Sequence, residues 1–255
     1  MTEKITSDAA LQKGPQATPT LPTAKAGQVL APSSVQPRQQ QTDCVGMVLS
    51  LRPAADLLTE LLKTAKKGGT TNFQLKPIPK EFKDCNEAVG WFNATALQGS
   101  FAATTKPVLK FSSPEIRTAQ RPDKSWEAKT KVSWSVNSKE TIIRLPDWTN
   151  VKRKADRDAW GDAVNALKAH EVLHVRIAEE YAKKLPCTLS ATGGSKSKAV
   201  ENLRAEVQEG SRYRVEVKRL LDDLGAEYDR VTAHGRNQSK IGGKDVLLVC
   251  PPPAP

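Results

Sequence analysis

The apolar residues of this chain change their spacing near Pro146, and that change limits the fold more than any other feature. From about residue 100 up to that point they recur at every second position: Val108 and Phe111, then Val132, Trp134 and Val136, then Ile142, Ile143 and Leu145. A period of two marks strands with one buried face. Asn137-Ser138-Lys139 between the last two runs reads as a tight hairpin connection, so a small antiparallel sheet is expected here. After Pro146 the spacing becomes three and four. Trp160, Val164, Leu167, Leu173, Ile177 and Tyr181 line one face of a long helix that Pro186 ends. A Gly-Gly-Ser loop follows, and a second long helix is expected from about Ser197 to Leu224. Its buried stripe is Leu203, Val207, Val215, Leu220 and Leu221, and Gly225 is its natural place to end or bend. The predicted class is α+β, a small antiparallel sheet followed by two long antiparallel helices.

Upstream of the sheet the chain divides again. Residues 1–42 hold several prolines, the Gln39-Gln40-Gln41 run and almost no aliphatic periodicity. Such a segment buries too little to offset its ordering entropy, so a disordered N-terminal arm is expected. From Pro53, at a helical N1 position, Leu57, Leu58, Leu61, Leu62 and Ala65 keep helical spacing until Gly68-Gly69. Residues 72–78 alternate as a short strand does and end at Pro79, and a further helix is expected around 82–93. The expected organisation is therefore an arm over 1–42, a helical and strand extension over 43–120, a domain over 121–249 and a Pro-rich tail over 250–255.

The net charge of +11 is spread along the 255 residues, with no basic block longer than Lys152-Arg153-Lys154, and aromatic residues make up only 5%. Neither a basic tail nor a stacking platform is present, so no specific nucleic-acid partner is expected. No apolar run is long enough to span a bilayer. The first forty residues lack the apolar core of a secretory signal, so export by a leader of their own is not expected. Cys44, Cys85, Cys187 and Cys250 show no CxxC spacing, which argues against a cysteine zinc site. Two disulfides or four thiols both satisfy the count, and the pairing is open among three. Cys250, just before the terminal proline run, suggests a tether and favours oxidation.

Inside the first long helix stands His170-Glu171-Val172-Leu173-His174, an HExxH motif. Positions i and i+4 share a helix face, so both imidazoles can reach one Zn²⁺ while Glu171 addresses its water. With only three histidines in the chain, the pattern is hard to obtain by chance. A catalytic zinc needs a third protein ligand and an open position. The remaining histidine, His234, lies just past the second long helix, where an antiparallel return brings it back to the metal. A carboxylate of that helix, Glu206 or Glu209, is the competing third ligand, whereas Glu179 points away from the metal-facing stripe.

Several segments together carry a resemblance: Leu145-Pro146-Asp147-Trp148, Trp160, the run from Ala169 through the HExxH motif to Ala178, and Tyr228-Asp229-x-x-Thr232-x-His234-Gly235. Over about residues 125–240 the chain resembles a bacterial family of predicted secreted zinc-dependent proteases, the domain of unknown function 922. The resemblance implies a zinc metallopeptidase-like domain over 121–249, with His170, His174 and His234 as zinc ligands and Glu171 as general base. Two readings stand open for Tyr228, an oxyanion donor or a packing residue at the helix end. Asp229 either accepts from a ligand imidazole or caps the helix. Thr232 shapes the turn that presents His234. Arg230 and Arg236 either bind a substrate carboxylate or are simply solvated.

These residues together predict hydrolysis of peptide bonds in a protein or peptide substrate, with Zn²⁺ as cofactor. The different class of answer is a metal-stabilised binding module without catalytic activity, in which a fourth protein ligand closes the site. A flexible arm without a leader fits a secreted protein, effector or toxin delivered by a specialised secretion or injection apparatus. It also fits a cytoplasmic enzyme with a flexible tail.

Overall fold

The computed structural model describes residues 44–68, 71–97 and 103–252; the expected arm over 1–42 and the last three residues of the tail lie outside them. The described chain opens with α1 (Cys44–Ser50) and α2 (Ala54–Ala65), the second starting directly after Pro53. Leu57, Leu58, Leu61, Leu62 and Ala65 are buried on one face of α2, as their spacing requires. Next come β1 (Gln74–Lys80), α3 (Cys85–Leu97), β2 (Thr104–Lys106), β3 (Leu109–Ser112), β4 (Arg117–Gln120), β5 (Trp126–Val136) and β6 (Ile142–Trp148). The C-terminal half is α4 (Lys154–Lys183), β7 (Cys187–Gly193), α5 (Lys196–Val207), α6 (Arg212–Thr232) and a 3₁₀ turn, Gln238–Ile241. The class is α+β.

Among the described residues the strands form two small sheets, where a single antiparallel one was expected. In the first, β6 is flanked by β1, which runs parallel to it, and by antiparallel β2. In the second, β5 pairs antiparallel with β3, β4 and β7. The expected hairpin between β5 and β6 does not form, because the two strands belong to different sheets. Asn137 donates its N–H to the Val108 carbonyl at 2.7 Å, and Thr141 Oγ1 accepts from the Val108 N–H at 3.1 Å. The connection is thereby fastened to the chain entering β3 and does not close a two-strand ladder. Pro77 and Pro79 fit β1 because among the described residues it is an edge strand, where a missing N–H is tolerated. The boundary expected at residue 120 runs through the β4–β5 pairing.

The second long helix is also different. It breaks at Gln208–Ser211, where Gly210 takes a left-handed φ of 86°, into α5 and α6. Gly225 does not end it; α6 continues to Thr232 and stops at Ala233 in the left-handed region.

Two buried clusters hold these elements. One contains the apolar faces of α1, α2 and α6, the Ile177–Tyr181 part of α4, and residues of β5, β7 and α5. The other gathers Phe82, Phe92, Trp148 and Trp160 with Ala163, Ala166 and Leu167 of α4 and with Val246 and Leu248. Helix α4 passes from one cluster to the other between Leu167 and Ile177, and the HExxH residues sit at that seam. Disulfides join Cys44 to Cys187 and Cys85 to Cys250, one of the three pairings left open. Among the described residues no helix is long and apolar enough to cross a membrane.

Candidate metal centre

His170 and His174 stand one turn apart on α4, and both imidazoles meet a carboxylate of α6. His170 Nε2 lies 3.1 Å and His174 Nε2 3.0 Å from the same atom, Asp229 Oδ1. His234 Nδ1, just past the α6 terminus, approaches that oxygen to 3.6 Å. The side chains are 2% exposed at His170, 10% at His174 and 34% at His234, so the cluster is closed behind His170 and open toward His234. A cleft of about 200 Å³ leads to His174 and Asp229, walled by Thr105, Lys106 and Pro107 on one side and Leu221 and Asp222 on the other.

The end of α6 is built to bring Asp229 and His234 together. Ala233, His234 and Gly235 have φ values of 47°, 53° and 90°, three consecutive left-handed residues that reverse the chain at once. For Ala and His this costs about 1–2 kcal/mol each. Hydrogen bonds hold the reversal: the His234 N–H to the Asp229 carbonyl at 2.9 Å, and the Asn237 N–H to the Thr232 carbonyl at 2.8 Å. Thr232, fully buried, donates its hydroxyl to the Tyr228 carbonyl at 2.8 Å, so its side chain lies inside the turn.

Gly235 is required both by its φ and by space. A Cβ there would stand 2.7 Å from Val246 Cγ2 and 3.3 Å from His170 Cγ. Gly235→Ala is expected to cost about 1–3 kcal/mol, read from urea unfolding, because it adds strain and overpacks the wall against the imidazole. A midpoint unchanged from wild type would show that the turn relaxes without loss.

The electrostatics follow from burial and these contacts. Burial works against charge on His170. The Asp229 hydrogen bond, the Glu171 charge and the Gln238 hydrogen bond outweigh it and hold the imidazole above the ordinary histidine pKa. Burial would raise the Asp229 carboxyl, yet the hydrogen bonds from His170 and His174 keep it well below the usual carboxylate range. Asp229 is therefore an anion at neutral pH. Two imidazole nitrogens and one carboxylate form a donor set suited to Zn²⁺, and their ligand atoms lie within 4.8 Å of one another. Tetrahedral bonds of about 2.0–2.2 Å place ligand atoms about 3.3–3.6 Å apart, a few tenths of an ångström wider than the nitrogen–oxygen separations of 3.0–3.1 Å. The residues fit the metal.

The other expected residues are distributed as follows. Glu171 is 5% exposed, beside His170 on α4, and its charge bears on both His170 and Tyr228. Tyr228 is fully buried and stacks on the His170 ring at 4.8 Å and 16°. Its hydroxyl lies between Gln238 and the His170 carbonyl, and burial, against the opposing Gln238 hydrogen bond, drives its pKa far above the ordinary value. Of the two readings left open for Tyr228, packing is the one this placement serves. Glu206 and Glu209 are exposed near the α5 terminus and are not brought into the His–Asp group. Arg230 pairs with Glu227 at 2.6 Å, and Arg236 donates to the Asn93 carbonyl at 2.7 Å. The sequence reading missed Gln238. It lies in a polar, Gly-rich stretch without periodicity, where nothing local marks one glutamine as special.

The profile of a family described as bacterial protein of unknown function, DUF922, matches residues 104–235, more than half of the chain, and the chain belongs to that family. No curated protein and no solved structure matches it. The matched segment begins at β2, earlier than the resemblance suggested, and ends on Gly235. It contains every residue of the cluster described above and leaves Gln238 outside.

Proposed function

We propose that the protein is a zinc-dependent metallopeptidase whose metal is held by His170, His174 and Asp229. The observation that carries this is the meeting of two imidazole Nε2 atoms with one carboxylate oxygen at 3.0–3.1 Å, at the end of an open cleft. That geometry favours Asp229 over His234 as the third ligand; His234 stands beside Asp229 at the exposed rim. A bound zinc ion would supply Lewis-acid chemistry, polarising the scissile carbonyl and acidifying a water molecule. Glu171 would take the proton of the attacking water and pass it to the leaving amine. The cleft between β2 and α6 would receive a protein or peptide chain, with Ile177, Leu221 and Pro107 as apolar lining. Two disulfides support action in an oxidising compartment, as a secreted enzyme or an exported effector or toxin.

The test is zinc titration against a competing chelator, together with cleavage of a denatured protein. The wild-type chain should bind one zinc ion and lose cleavage when that ion is chelated. Asp229→Ala should weaken zinc binding by more than the about 10–100-fold that loss of an outer partner brings, and His234→Ala by no more than that range. The reverse ranking would return the third-ligand role to His234. A wild-type chain that takes up no zinc would end the proposal.

A further inference from the structure

One buried polar side chain beside the cluster has no part in the reaction above. Gln238 is 1% exposed, at the start of the 3₁₀ turn. Its Oε1 lies 3.0 Å from His170 Nδ1, and its Nε2 donates to the Tyr228 hydroxyl at 2.8 Å. That hydroxyl lies 3.2 Å from Gln238 Oε1 and 3.5 Å from the His170 carbonyl oxygen. The ring, the amide and the phenol thus make a closed circuit that starts and ends on His170.

The direction of the amide matters. A neutral imidazole has one N–H and one lone pair, and a partner at one nitrogen decides which nitrogen carries the proton. With Oε1 toward the ring, Nδ1 carries an N–H, so the nitrogen that gives up its proton to a metal is Nε2, the atom that donates to Asp229 in the metal-free chain. A flipped amide would offer an N–H to Nδ1 and force the proton onto Nε2, where a metal would have to bind.

Three features hold Gln238 in place. Its N–H donates to the Gly235 carbonyl at 3.1 Å, and its own carbonyl accepts from Gly243 at 3.0 Å. Gly243 packs directly on its stem: a Cβ at 243 would lie 2.4 Å from Gln238 Cγ. Finally, Tyr228 both receives the amide N–H and stacks on the ring that the amide orients.

We infer that Gln238 is the positioning residue of this centre: it commits Nδ1–H of His170 and so directs Nε2 at the metal. The inference rests on the metal centre proposed above, and it explains why a residue outside the family match is fully buried against the motif. Gln238→Met keeps the length and removes the acceptor. Gln238→Glu keeps an acceptor for Nδ1–H and for the Tyr228 hydroxyl, an arrangement with the same logic as a carboxylate–histidine pair.

The test combines competitive zinc titration of the full chain with nitrogen-15 spectra of the histidine side chains in the metal-free protein. The His170 signal is assigned by its loss in His170→Gln. In wild type and Gln238→Glu the Nδ1 proton of His170 should be protected from solvent exchange, and zinc affinity should be alike. In Gln238→Met the protected proton should vanish and zinc binding should weaken about 10–100-fold, while far-UV circular dichroism stays native. Undiminished zinc affinity in Gln238→Met, or a protected Nδ1 proton that survives there, overturns the assignment. Equal loss of zinc in the Met and Glu variants does so too, since that is what mere packing would give. A wild-type chain that takes up no zinc overturns the metal centre instead, and the Nδ1 proton then decides Gln238's hold on His170 by itself.

Discussion

Replacing Glu171 with Gln is expected to lower turnover of a denatured protein substrate by about 10²–10⁴-fold while zinc remains bound, the range attributable to loss of a general base. That corresponds to about 2.7–5.5 kcal/mol of transition-state stabilisation. The substitution keeps the shape of a side chain that is only 5% exposed, so the helix has no cavity to absorb. It removes a charge that helps raise His170, an effect on the imidazole that is smaller than that of the Asp229 hydrogen bond. Zinc affinity should therefore move little compared with turnover. Steady-state kinetics on zinc-saturated protein, with metal content measured on the same sample, separates the two. Wild-type turnover in the variant would assign the base elsewhere; loss of zinc in parallel with activity would make Glu171 part of the metal's hold.

The parts of this centre that could be read from sequence are those that depend on local spacing. His170 and His174 fall on one face of α4 because they are four residues apart in a segment whose apolar positions also fit a helix. His234 was legible as the remaining histidine past the second long helix, whereas Asp229 was flagged only through a resemblance, and their relative roles turn on how α6 ends. The decisive facts there are three left-handed residues, of which only Gly235 advertises the conformation. An alanine and a histidine in that region carry no sequence signal. The missing β5–β6 hairpin has a similar cause. Its turn residues were locally suitable, but both edges of β6 are taken by β1 and β2, and β1 comes from far upstream, which a local pattern does not contain. Gln238 is the extreme case, since its importance comes wholly from what packs around it.

Opening the disulfides should have the other large effect, and the two bonds should differ in what they do to the metal. They span 143 and 165 residues, so the chain-entropy model gives about 5 kcal/mol for each, within the usual range of 2–5 kcal/mol for native disulfides of secreted domains. For a chain of this size that corresponds to a fall of about 10–20 °C in Tm. Cys44–Cys187 joins α1 to the start of β7, and neither element carries a residue of the His–Asp cluster. Cys85–Cys250 anchors the C-terminal segment, and four residues before Cys250 stands Val246. That valine donates its N–H to the Gly235 carbonyl at 3.0 Å and fills the space a Gly235 Cβ would need, beside the His170 ring. Replacing Cys44 and Cys187 together with Ala should lower the urea midpoint while leaving zinc affinity unchanged in conditions where the variant is folded. The Cys85 and Cys250 pair, treated the same way, should lower both, because the wall behind His170 loses its fastening. Equal zinc binding in the two double variants would mean that Val246 keeps its place without the bond, and that the second disulfide serves stability alone.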